Sequence, residues 1–264
     1  MSKDRRVGLP ATSGNSARTT PRPVQASCLD TPGLEMLRRG LGTIDPRLEN
    51  EAFIASLVRY VRELELWNPR LGLVEAAGHD LITKHLLDCL AAIPLLMSRL
   101  EALGNGQASA AALRLADIGS GAGLPGILLT LALRHIGGRP FTMTLVEKQQ
   151  RRVGFLLNVK AILALDMLEV CQESLEQVSQ REGGSFDLVT ARAFRSLEPA
   201  ILGELESLLK SSGELFLYKG RRDRVAEELA TAGVAGNPRV RVEAIAVPGL
   251  DEERHVVVIQ SSQC

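Results

Sequence analysis

The sequence predicts an α/β fold: a mainly parallel sheet closed by a terminal antiparallel hairpin and preceded by a small helical segment. Three observations point there. Strand-like apolar runs alternate with helix-period stretches from about residue 110 onward, which implies parallel strands covered on both faces. The last two candidate strands, 240–247 and 255–260, are separated by PGLDEER, with no room for a crossover helix. The stretch LRLADIGSGAGLPG at 113–126 passes from a buried strand through a glycine turn into a helix, the front edge of a nucleotide-binding unit.

Taken in order, residues 1–32 are rich in Ser, Thr, Pro, Gly and Arg. Such a segment buries too little surface to offset its ordering entropy and is expected to be a disordered tail. Residues 33–104 read as a helical N-terminal cap. Leu48, Ala52, Ile54, Ala55, Val58, Val61, Leu64 and Trp67 recur at three- and four-residue steps. A loop at 68–79 precedes a second helix at 81–103, which sets His85 and Asp88 one turn apart. GNGQAS at 104–109 is a flexible connection, and 110–264 form a Rossmann-like domain. Its strands are expected at 113–118, 142–147, 168–171, 186–191 and 213–219. The helices between and after them are expected at 126–135, 148–165, 175–180, 197–209 and 224–232.

The chemistry gathers at the strand ends, where open α/β sheets bind ligands. Gly119, Gly121 and Gly123 allow a sharp turn and close approach of a ligand, and Pro125 suits a first helical turn. Asp117 lies near the end of the first strand and Glu147 ends the second. A carboxylate there can accept both hydrogen bonds of a ribose diol; an acidic cap for the next helix is the alternative. The backbone at Leu175 and Glu176, after the third strand, can flank an adenine edge. Arg192 stands at the pocket mouth in TARAF, against the alternative of a plain surface ion pair. A nicotinamide dinucleotide and S-adenosylmethionine both fit this architecture. Glycines at alternate positions with Asp117 just before them favour the donor that carries a sulfonium and an ammonium, and dinucleotide folds do not usually end in a hairpin.

Net charge is zero over 264 residues, which excludes an overall polycation, so nucleic-acid contact has to come from local patches. Two patches flank the strand ends: Lys148, Arg151 and Arg152, then Lys219, Arg221, Arg222 and Arg224. Together they ring one mouth and can hold phosphates; singly, each is equally a solvated helix face. Cys28, Cys89, Cys171 and Cys264 have no paired or metal-type spacing, and no apolar run is long enough for a membrane span. Free thiols in a reducing cytoplasm are expected. Trp67 reads as a core anchor and Cys171 as a packed strand residue. His85, Asp88 and His255 stay open between pocket lining and ordinary structural pairs.

DIGSGAGLPG, VEKQQRRVGFL, TARAF, YKG and EERHVVVI, in that order, resemble the bacterial small-subunit rRNA guanine-N7 methyltransferases, also called glucose-inhibited division protein B. Trp67-Asn68 and HLLDC at 85–89 are similar to that family's W-N and H-I-L-D-S segments. The resemblance implies a class I S-adenosylmethionine-dependent methyltransferase domain under a helical cap, acting on a guanine of 16S rRNA in the small ribosomal subunit or its assembly intermediate. Carried across, Gly119, Leu124, Leu175, Glu176 and Arg192 contact the cofactor, and Glu147 matches an acidic position. A single copy is expected to act. The chain departs from the family in three places: Gly72-Leu73-Val74 replaces N-L-T, Cys89 replaces a serine, and Ala122 replaces a frequent proline.

Guanine N7 carries an in-plane lone pair, so its methylation requires alignment rather than a base. The sequence has neither the Asn/Asp-Pro-Pro-aromatic tetrapeptide of amine methylation nor the Pro-Cys of cytosine carbon methylation, in agreement with ring-nitrogen chemistry. Arg192 is the catalytic candidate, holding O6, a phosphate or the cofactor carboxylate. Two rivals share the fold. A small-molecule methyltransferase is disfavoured by 3% aromatic residues and a basic rim. A non-catalytic adenosyl-binding or ribosome-associated protein would not need Asp117, Glu147 and Arg192 together.

Overall fold

The computed structural model describes residues 27–104 and 112–262. Residues 1–26 of the tail expected at 1–32, residues 105–109 of the connection expected at 104–109, and Cys264 lie outside the described residues.

The helical part opens at α1 (Thr31–Ile44), where the Asp30 side chain accepts from the Gly33 amide and caps the first turn. Cys28 is already buried there, so the core begins inside the stretch read as tail. After a 3-10 turn at Pro46–Leu48, α2 (Glu51–Leu71) starts at an Asn50 cap. It ends at Gly72, whose φ of +57° suits a residue without a Cβ. The helix therefore runs four residues into the expected loop. Instead of one continuous helix at 81–103, the chain forms α3 (His79–Leu81), a π-helical turn (Ile82–Leu87), α4 (Asp88–Leu90) and α5 (Ile93–Gly104). Pro94 explains the break: it lacks an amide hydrogen and fits only a first turn. A π-turn leaves the three- and four-residue apolar rhythm nearly intact, so the pattern does not reveal it.

Seven strands then form one sheet in the order β3-β2-β1-β4-β5-β7-β6. β1 (Leu113–Ile118), β2 (Phe141–Val146), β3 (Leu168–Cys171), β4 (Phe186–Arg192) and β5 (Leu209–Lys219) are parallel. β7 (His255–Gln260) is antiparallel to both β5 and β6 (Val240–Ala244), as the terminal hairpin predicts. β5 begins four residues early, slips register against β4, and recovers at Gly213, where a Cβ would stand 2.8 Å from the Phe186 carbonyl. Strand order reverses between β1 and β4, which places the ligand crevice at their carboxyl ends.

The period-two alternation of the strands divides the core. Leu113 and Leu115 of β1, Phe216 and Tyr218 of β5, and Val256 and Val258 of β7 face α1–α5 together with α6 (Gly126–Ile136) and α7 (Gln150–Ile162). Ala116, Ile118, Leu215, Leu217, Val257 and Ile259 face α8 (Leu175–Glu182), α9 (Pro199–Ser207) and α10 (Arg222–Thr231). The N-terminal helices thus share one apolar layer with the sheet. Trp67 packs edge-on against Phe155 of α7, with ring centroids 5.9 Å apart, as a core anchor should. Asn68 closes the loop after α2 on the backbone of Val74, donating to its carbonyl (3.0 Å) and accepting from its amide (2.9 Å). Those contacts are made to the backbone, so they do not depend on the side chain at 74.

Arg99 of α5 forms a two-pronged ion pair with Glu214 of β5, whose side chain is 3% exposed. Removing one partner strands a buried charge. Arg99→Ala is expected to destabilise the fold by about 3 kcal/mol, read as a lower urea midpoint.

Candidate active site

The glycine loop is held from three sides. Gly119, Gly121 and Gly123 all have positive φ, between 56° and 79°. A Cβ on Gly119 would meet the Phe194 ring at 2.4 Å, and one on Gly123 would meet Ile127 at 2.2 Å. Tyr60 of α2, fully buried, donates its hydroxyl to the Ala122 carbonyl at 2.8 Å, tying the helical layer to the loop. Glu147 accepts from the Gly121 amide (3.0 Å) and from the Gln149 amide (2.8 Å). Each of its oxygens keeps a lone pair for another donor.

Two neighbouring cavities open at the carboxyl ends. The first, about 200 Å³, is lined by Gly119, Glu147, Lys148, Arg152, Leu175 and Glu176 among others. α8 starts at a Ser174 capping box with Gln177. That arrangement leaves the Leu175 and Glu176 amides, in the opening turn, without helical acceptors. The second cavity, about 550 Å³, is lined by Asp88, Arg192, Tyr218, Lys219, Arg254 and His255 among others. Residues 193–195 border both cavities.

The predicted residues therefore divide. Gly119, Glu147, Leu175 and Glu176 line the first cavity, with Gly121 joined to it through Glu147. Gly123 and Leu124, at the end of the loop, are buried and line neither of these two cavities. Asp117, 0% exposed, lies beneath the loop, where its Oδ2 accepts from the Gly126 amide at 3.0 Å and fixes the start of α6 to β1. Burial pushes its carboxyl up to about 7. Arg192 lines the second cavity and turns toward the helical layer: it donates to Asp88 Oδ2 (2.6 Å), His85 Nδ1 (2.7 Å) and the Lys84 carbonyl (3.3 Å). Arg254, not singled out from the sequence, donates to Asp88 Oδ1 at 2.8 Å. Burial, then the charges of Arg192 and Lys84, hold His85 at about 4, so near neutral pH its Nδ1 is free to accept. His255 is buried against the Gly220 carbonyl (2.7 Å).

The basic rim divides too. Lys148, Arg151 and Arg222 are exposed. Lys219 pairs with Glu228 (2.5 Å), Arg221 with Asp223 (2.5 Å) and Arg224 with Glu227 (2.8 Å). Arg152 turns inward, 3.9 Å from Glu147. Phe194, Glu204, Tyr218 and Arg254 are cavity residues that sequence reasoning missed. Arg254 and Tyr218 do lie within EERHVVVI and YKG, the signal that was available for them.

Among the described residues, three buried side-chain atoms have no partner: Asp117 Oδ1, Arg152 Nε and Glu204 Oε2. Arg152 and Glu204 line the first cavity, whereas Asp117 lies beneath the loop. Buried polar atoms are normally satisfied, so the Arg152 donor and the Glu204 acceptor suit a ligand with both acceptors and donors. S-adenosylmethionine, with its diol, ammonium and carboxylate, fits that description.

A loop of this form at the β1–β4 switch point, on a sheet with an antiparallel seventh strand, defines a class I S-adenosylmethionine-dependent methyltransferase. The methyltransferase domain of METTL16 has the same fold, at TM-score 0.52 and 14% identity, over 76% of this chain and 78% of that one. A family model described as rRNA small subunit methyltransferase G matches residues 53–257. Ribosomal RNA small subunit methyltransferase G of Treponema denticola is 32% identical over 216 residues, 76% of this chain and 84% of its own. The protein of that name from Xanthomonas campestris pv. campestris (strain 8004) is 35% identical over 208 residues, 78% and 86% of the two chains. The chain belongs to the rRNA small subunit methyltransferase G family.

Asp117 offers a test of the buried loop. An acid with a raised folded pKa holds its proton more tightly folded than unfolded, so its stabilising contribution falls as pH rises from about 4 through about 7. Asp117→Asn lacks this dependence. The stability of the variant, measured by urea unfolding, is expected to gain on wild type across that window.

Proposed function

We propose that this protein transfers the methyl group of S-adenosylmethionine to N7 of a guanine in 16S rRNA, presented on the small ribosomal subunit or an assembly intermediate. It acts as a single copy in the cytoplasm; among the described residues no helix is long and apolar enough to cross a membrane. The carrying observation is the pair of adjacent cavities that share residues 193–195. One suits an adenosyl donor, and the other presents guanidinium groups to an acceptor. Relatives named rRNA small subunit methyltransferase G support rRNA as that acceptor.

S-adenosylmethionine, when bound, supplies an electrophilic methyl on a sulfonium. Glu147 would hold the ribose diol, the Leu175 and Glu176 backbone the adenine edge, and the glycine loop the methionyl portion. Guanine N7 attacks with its own lone pair, so no residue has to remove a proton. The protein's task is alignment and exclusion of water. Arg192, held by Asp88 and His85, is a fixed donor beside the acceptor cavity. Exposed Lys148, Arg151 and Arg222 meet RNA phosphates more readily than the paired Lys219 and Arg221. With zero net charge and few such contacts, binding should be weak and salt-sensitive.

The test is incubation with labelled S-adenosylmethionine and small subunits lacking the modification, followed by strand cleavage at N7-methylguanine. One labelled guanine in 16S rRNA is expected; label elsewhere, or none, overturns the reading. Arg192→Ala is expected to lower kcat/KM by about 100-fold, since a displaced donor misaligns the acceptor.

A further inference from the structure

The acceptor cavity contains an arrangement that alignment alone does not require. Asp88 is buried, and each of its carboxylate oxygens takes one arginine: Oδ2 from Arg192 at 2.6 Å and Oδ1 from Arg254 at 2.8 Å. The three groups come from α4, the end of β4 and the residue before β7, and all three line the cavity. Without the carboxylate the two guanidiniums would repel each other and swing apart. The π-turn at Ile82–Leu87 carries His85, whose Nδ1 takes a further Arg192 hydrogen at 2.7 Å, and it leads directly into Asp88. Arg192 is thus fastened at both terminal nitrogens. Arg254 spends its Nε on Asp88 and its Nη1 on the Glu253 carbonyl, and its Nη2 has no partner among the described residues.

Such a wall offers donors and little acceptance, since Asp88 is occupied on both oxygens and Glu228, the other carboxylate lining the cavity, is paired with Lys219. Purine chemistry gives that imbalance a meaning. N7 is an acceptor in guanine and adenine alike, so the reacting atom cannot tell them apart. Position six can: guanine has an oxygen there and adenine an amino group. We propose that Asp88 is a positioning residue that clamps Arg192 and Arg254 into a donor-only wall, and that this wall selects guanine by its O6 while leaving N7 free. The inference rests on the guanine-N7 reading above and deepens it.

The experiment uses the full chain and small subunits rebuilt with guanine, inosine or 2-aminopurine at the modified position. Inosine keeps O6; 2-aminopurine lacks it, and both keep N7. Wild type is expected to methylate the inosine subunit nearly as well as the guanine one, and to lose at least about tenfold in kcat/KM on 2-aminopurine. In Asp88→Asn, kcat/KM on guanine falls about 100-fold, and the preference for inosine over 2-aminopurine shrinks toward one. Calorimetric affinity for S-adenosylhomocysteine stays within about threefold of wild type, because Asp88 lies outside the donor cavity. Should Asp88→Asn fail to fold, Arg254→Lys carries the same comparison, since lysine lacks the guanidinium's fixed fork. Equal wild-type rates on inosine and 2-aminopurine, or an unchanged preference in the variant, overturn the inference while the guanine-N7 reading stands. If wild type methylates no guanine in the subunit, that reading fails and takes the inference with it.

Discussion

One carboxylate joins the helical layer to two walls of the larger cavity. Asp88 sits where the helical layer meets the carboxyl end of the sheet, and receives Arg192 from β4 and Arg254 from the approach to β7. Burial makes such an arrangement costly unless every oxygen is occupied, and both are. The cavity wall, the turn after β4 and the hairpin closing the sheet are thereby fixed to one point. Residues 193–195, which begin directly after Arg192, inherit that placement and separate the two cavities.

The donor side depends on a different device. β1 ends beneath a glycine loop that is strapped by Tyr60 from above, by Glu147 from the side, and by the Asp117–Gly126 bond below. Three independent attachments hold a stretch whose glycines would otherwise be the least restrained part of the chain. Preorganisation of this kind lowers the ordering cost of binding a flexible donor. The polar atoms left over, on Asp117, Arg152 and Glu204, are those that the fold itself does not satisfy.

Much of this was legible in the residues and some was not. Strand and helix alternation, the hairpin and the glycine loop are local patterns, and they appear within a residue or a few of where the periodicity puts them. The placement of Glu147, Leu175 and Glu176 followed from the rule that ligands sit at strand ends. Asp117 shows the limit of that rule: it lies on the strand face turned toward α6, so it meets the helix start rather than the cavity. The second cavity was hidden for another reason. Its wall joins positions 88, 192, 218 and 254, and no spacing along the chain records that meeting. The π-turn escaped as well, because one extra residue in a turn barely disturbs an apolar stripe. Nor does composition distinguish Lys219, neutralised by Glu228, from exposed Lys148.

The shared apolar layer beneath the glycine loop bears on how the protein can be divided. Leu57, Leu64, Leu86 and Leu96 belong to the same packed cluster as Leu115, Met143 and Phe216. A fragment restricted to the Rossmann-like half would keep α6 and α7 on that side but expose the part of the layer that α1–α5 cover, and it would also forfeit the phenol that steadies Ala122. The amino-terminal helices are therefore no accessory lid but one wall of the house.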